Sequence, residues 1–183
     1  MYLATVCRAA GLTAGLAAFL ILSGSVSMAG QPPANHFIAH LQGDNEVPPR
    51  GTQATGQVIF SLSEDETELE YKLISSNIFN VVAAHIHLGV EGENGDVVAF
   101  LAGPFEAAGG RTDGVLAIGT ITEEDLVGPL AGMAFSVLIE AMRTGGTYVN
   151  VHTNDGVAPA NTGPGDFPPG EIRGQIRAPG FKE

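Results

Sequence analysis

The residues best suited to chemistry in this chain are histidines. There are five, and two stand one residue apart in the stretch AHIHLG, Ala84 to Gly89. On a β-strand, residues i and i+2 share a face about 6.6 Å apart along the chain. His85 and His87 can therefore offer two imidazoles to one ion, while Ile86 turns to the opposite face. His152 closes the run Tyr148-Val149-Asn150-Val151-His152, which is rich in strand formers. If that strand lies beside the first, three imidazoles converge, and an imidazole-only donor set suits copper or zinc better than calcium or magnesium. The alternative is that His85 and His87 are polar residues of a sheet, hydrogen-bonded to carboxylates such as Glu46 or Glu171. His36 and His40 are four apart, too far to chelate one ion directly, and read as surface residues.

Carboxylates offer a rival cation site. Glu91, Glu93, Asn94 and Asp96 follow the HxH strand in a glycine-containing loop. Oxygen donors at this density can hold calcium, but the spacing is not that of a calcium loop, and acidic turns are commonly only solvated. Nucleophilic catalysis has little support. No Gly-x-Ser-x-Gly occurs, and no phosphate-cradling glycine loop is present.

These residues must be positioned by something, and the patterning says what. From Gln31 onward short apolar runs alternate with Gly/Pro turn clusters, the mark of an all-β domain. Strands are expected near His36–Leu41, Gly56–Leu62, Glu68–Ser75, Val82–Leu88, Val97–Leu101, Val115–Ile121, Thr147–His152 and Ile172–Arg177. In Glu68-Leu69-Glu70-Tyr71-Lys72-Leu73 the period is two, with Leu69, Tyr71 and Leu73 facing inward. Thr122-Glu123-Glu124-Asp125 looks like a helix start that Gly128-Pro129 interrupts. Met133 to Arg143 is a second helix candidate, ending at Gly145-Gly146, although a buried strand would also fit it. The stretch Asn154–Pro169 is long for a loop in one domain.

The first thirty residues are of another kind. Gly11 to Leu22 is an apolar run of signal-peptide length, and Ser27-Met28-Ala29 supplies small residues for cleavage. Residues 1–29 are expected to be a signal peptide and 30–183 a single domain, with no membrane span after cleavage. An uncleaved N-terminal anchor is the alternative. Cys7 is the one cysteine, so an exported mature chain has no disulfide and no thiolate ligand. Cleavage also removes Arg8 and takes the formal charge from −12 to −13. So acidic a surface repels phosphate backbones and anionic lipid heads, which excludes nucleic acid as a plausible partner.

In order, HFIAHLQGDNEVPP, ATGQVIFSL, AAHIHLGVEGENGDVVAFL, GGTYVNVHT and PPGEIRGQI resemble the CHRD (chordin-type) domain, from about His36 to Ile176. The resemblance implies a secreted or periplasmic β-sandwich-like domain without a settled activity. It points to an extracytoplasmic module that binds an unknown extracellular or envelope ligand. A more distant likeness is to copper/zinc superoxide dismutases, carried by His85-Ile86-His87-Leu88-Gly89, Val149-Asn150-Val151-His152 and Ile172-Arg173-Gly174-Gln175-Ile176. It implies an antiparallel Ig-like or superoxide-dismutase-like β-sandwich with one or two short helices inserted. It also implies His85, His87 and His152 as copper-type ligands, with zinc the less favoured ion, and Arg173 as a cation attracting an anionic substrate. No histidine lies between His87 and His152, so that family's bridging ligand and zinc-site histidines are absent. Glu46 and Glu171 are expected as supporting partners, Glu46 by accepting from an imidazole N–H and Glu171 by pairing with Arg173.

Overall fold

Alternation along the strands becomes an eight-stranded antiparallel sheet in the computed structural model, which describes residues 34–179. The predicted signal peptide lies outside the described residues. The strands are β1 (His36–Gln42), β2 (Thr55–Leu62), β3 (Leu69–Phe79), β4 (Val81–Leu88), β5 (Val97–Ala102), β6 (Arg111–Ile121), β7 (Thr147–Thr153) and β8 (Ile172–Gln175). Each falls on one of the eight predicted runs. Their order in the sheet is β5-β4-β7-β8-β1-β2-β3-β6. The sheet curls until its ends approach, where Tyr71 on β3 donates its hydroxyl to the Leu101 carbonyl on β5 at 2.7 Å. The all-β expectation holds, with the opposed inner faces belonging to one nearly closed sheet.

The one α-helix among the described residues, α1 (Phe135–Arg143), answers the ambiguity left by Val137-Leu138-Ile139. It buries Phe135, Leu138, Ile139 and Met142, the i, i+3, i+4, i+7 set of an amphipathic helix. The segment around Thr122 makes one turn of 3-10 helix, Glu123–Asp125, because the Asp125 carboxylate folds back to accept from Thr122 N and Oγ1 at 2.9 and 3.0 Å.

Inside the sheet the core is aliphatic and aromatic: Phe37, Val58, Phe60, Leu69, Leu73, Ile86, Val149, Val151 and Ile172 are each at most 1 % exposed. β8 runs so close to β1 that a side chain at Gly174 would meet the His40 carbonyl oxygen at 2.3 Å. The consequence for function lies in the other set of side chains. Wherever a strand sends one residue inward, the next points outward. On β4, β7 and β8 those outward residues are His85 and His87; Tyr148, Asn150 and His152; Arg173 and Gln175. Three long connections, 43–54, 89–96 and 154–171, fold over this face and bury much of it.

Candidate metal centre

Strand register decides which outward residues meet. β4 pairs antiparallel with β7, so His87 stands opposite Tyr148, His85 opposite Asn150, and Ala83 opposite His152. Alanine at that last position leaves room above His152, and the three imidazoles lean together over it. One nitrogen from each of His85, His87 and His152 lies within 4.8 Å of the other two. Among the described residues this is the one such group of three or more histidine, cysteine, aspartate or glutamate side chains. The β4–β5 ladder shifts register just before each histidine, between Ala84 and His85 and between Ile86 and His87. Bulges of this kind re-aim side chains, and they recur next to functional sites.

Hydrogen bonds fix the tautomers of two of the rings. His87 Nδ1 is 2.9 Å from the Gly95 carbonyl oxygen, and His152 Nδ1 is 2.8 Å from that of Pro168. A carbonyl can only accept, so both Nδ1 atoms carry the proton and both Nε2 atoms present lone pairs. His85 Nδ1 approaches His152 Nε2 at 3.0 Å, donating to that lone pair when no cation is present. His87 Nε2 is buried and has no hydrogen-bond partner. The ring of His87 stacks on Tyr148 with centroids 4.8 Å apart and planes 10° from parallel. Phe100, half exposed on β5, meets the His85 ring nearly perpendicular, with centroids 4.7 Å apart.

Burial keeps the rings neutral. Desolvation first, then the proximity of His152 and His87, pushes the His85 pKa down to about 4. Burial also lowers His87 and His152 below the ordinary imidazole value. Near pH 7 the cluster is therefore three uncharged donors, the protonation state that metal ligation requires.

The supporting residues sit differently from expectation. Glu46 makes no hydrogen bond to a histidine, because both imidazole N–H groups are already taken by backbone carbonyls. It is buried in the NEVPP loop, where desolvation raises its pKa to about 7 against the opposing pull of Arg173 and Arg50. Glu171 does not pair with Arg173. Its carboxylate, 1 % exposed, accepts from Thr52 Oγ1 and Thr153 Oγ1 at 2.6 Å each and from Gly165 N at 2.8 Å. It thereby knots two of the covering loops to β7. Arg173 is 2 % exposed, with its guanidinium 3.4 Å over the Tyr148 ring. It donates to the carbonyls of Val90 and Glu93 and to Asn94 Oδ1. It clamps the 89–96 loop instead of standing open to an approaching anion.

The acidic loop that could have held calcium has other uses. Glu91 pairs with Arg177, and Asn94 bridges Arg173 to the Val47 carbonyl. His36 and His40 are exposed on β1, as read from their spacing. His40 does line a cleft of about 510 Å3 together with Glu46, Val47, Pro49, Arg173 and Arg177.

The model of the CHRD domain matches residues 37–176. The chain belongs to the CHRD family. No curated protein and no solved structure matches it. The matched region runs from Phe37, the second residue of β1, to Ile176 just past β8. It therefore includes the histidine cluster and all three covering loops. What sequence reasoning missed in this CHRD domain is the supporting shell. The carbonyls of Gly95 and Pro168 leave no trace in side-chain chemistry. Tyr148 and Asn150 could have been found, since they alternate with His152 along YVNVH and must share its face.

Proposed function

We propose that this CHRD-domain protein is exported and binds a transition-metal ion through His85 Nδ1, His87 Nε2 and His152 Nε2. The observation that carries the reading is the convergence of three neutral imidazole nitrogens within 4.8 Å, two of them with tautomers set by backbone carbonyls. Zinc–nitrogen bonds are about 2.0–2.1 Å long, so slight closure of the side chains would bring all three to ligand distance. The uncharged nitrogen set favours copper or zinc over calcium and magnesium. A cysteine-free mature chain with a net charge of −13 suits an oxidising compartment and attracts cations.

Metal analysis of the protein purified from its own compartment tests this. Near-stoichiometric copper or zinc is expected, and it should vanish in His87→Ala. A metal-free wild type that takes up neither ion on titration would overturn the reading. Metal-assisted turnover is a stronger claim, and the clamped position of Arg173 gives it no support.

A second reading, an extracytoplasmic binding module, is favoured by the cleft beside the NEVPP loop, about 510 Å3 in volume. Its test is a ligand interaction that survives His87→Ala and is lost when Ile38, on the cleft wall, becomes Trp.

A further inference from the structure

Two buried atoms at the centre of the histidine face have no hydrogen-bond partner: His87 Nε2 and Asn150 Oδ1. Asn150 is 3 % exposed and stands directly opposite His85, two residues before His152 on the same strand face. Its amide lies within hydrogen-bonding reach of the His87 ring. Yet His87 already carries its proton on Nδ1, donated to Gly95. Nε2 and Oδ1 are then two lone-pair acceptors side by side, out of reach of solvent. Such an arrangement is costly unless something positive lies between them.

The amide cannot readily turn round to relieve this. Its Nδ2 is directed to the other side, toward the Pro169 carbonyl and the Glu46 carboxyl. Gly170 closes over that pair. A side chain there would lie 2.5 Å from Glu46 Oε1 and 2.7 Å from Asn150 Nδ2. Glu46, the loop and Gly170 together hold the Asn150 oxygen on the histidine side.

We infer that Asn150 Oδ1 is the fourth ligand of the metal, completing an N3O donor set with His85, His87 and His152. The inference rests on the metal reading above and deepens it. An amide oxygen is a harder donor than imidazole, so the set selects a divalent ion, zinc or copper(II), over copper(I). Four protein ligands also close the coordination sphere, the arrangement of a structural or holding site, whereas catalytic zinc keeps a position free. Glu46 acquires a role as well. It touches no metal ligand except Asn150, and it positions that amide.

The test is zinc binding to wild type, Asn150→Leu, Asn150→Asp and His87→Ala, with a crystal structure of the zinc-loaded wild type. Asn150→Leu should weaken zinc by at least about tenfold, since even outer partners of a metal site are worth that much. Asn150→Asp keeps an oxygen and should bind zinc at least as tightly as wild type. In the loaded crystal, Asn150 Oδ1 should stand about 2.0–2.2 Å from zinc. If zinc binds the wild type, is lost in His87→Ala and is unchanged in Asn150→Leu, the fourth ligand is wrong and the three-histidine site stands. A water in the fourth position, with Asn150 more than about 3 Å away, is equally decisive against it. If the wild type binds no zinc or copper, the metal reading itself fails. Should Asn150→Leu not fold, the crystal distance and the aspartate variant decide alone.

Discussion

His85 and Glu46 titrate in overlapping ranges with opposite consequences for stability. His85 has its pKa lowered from 6.5 to about 4 by burial and by its two neighbouring rings. Between those values the unfolded chain binds the proton and the folded one resists it, so this residue makes stability rise with pH. Its contribution is complete above about 6.5 and is lost as pH falls toward 4. Glu46, raised from 4.5 to about 7, does the reverse: folding favours its protonated form, and stability declines as pH rises through that window. Single variants separate the two. In metal-free protein, the melting temperature of wild type minus that of His85→Gln should climb with pH from 4 to 6.5 and then level off. The corresponding difference for Glu46→Gln should fall between pH 4.5 and 7. Flat differences in thermal scans would show that neither residue is desolvated as described. At this scale the sequence was informative about residue type and poor about partners. HxH and the later histidine could be read from spacing, because strand alternation alone puts them on one face. Glu46, Glu171 and Arg173 were recognised as important but given the wrong partners. Their contacts are set by loops whose paths no periodicity encodes.

The strands carried their own signatures. Leu69, Tyr71 and Leu73 alternate with charged residues, and β3 falls where that pattern puts it. The helix was legible as a pattern of apolar spacing, though only burial of Leu138, Ile139 and Met142 against the sheet separates it from a strand. The covering loops were visible only as long Gly/Pro-rich gaps. They are organised by buried polar knots, and Glu171 is the clearest. Its carboxylate accepts three hydrogen bonds from two loops and a strand. Glu171→Gln keeps the shape but removes the charge and turns one acceptor into a donor. Hydrogen bonds to a charged group are worth about 1.5–3 kcal/mol each, so a loss of about 2–4 kcal/mol is expected. Chemical denaturation reads the loss, and hydrogen exchange should quicken first at the Gly165 amide. Gly170→Ala belongs to the same scale. Its φ of +136° and the close contact with Glu46 both oppose a side chain. It should destabilise the chain by about 1–3 kcal/mol and loosen the Asn150 amide with it.

For the molecule as a whole, one core serves both curved halves of the sheet. Ile86 lies at its centre on β4, fully buried and flanked in sequence by the two histidines. Truncating it leaves a cavity that a closed sheet can collapse only in part. Ile86→Ala should cost about 2–5 kcal/mol of folding stability in denaturant titrations. It should also weaken metal uptake, because the same strand that anchors the core aims both imidazoles. A variant that is destabilised yet keeps full metal affinity would show that the loops, and not the sheet, position the ring nitrogens. The all-β class was legible from turn spacing and alternation. Closure into one sheet was not, since the β5–β6 approach is a long-range event with no local sequence mark.

Tyr148 lies pressed between the His87 imidazole and the Arg173 guanidinium. The chain contains no tryptophan, so tyrosine light emission is not masked by a stronger fluorophore. A paramagnetic copper(II) ion on His87 would darken Tyr148 from a few ångströms away. Closed-shell zinc would leave it bright. The protein thus contains an optical gauge of copper(II) occupancy that needs no label.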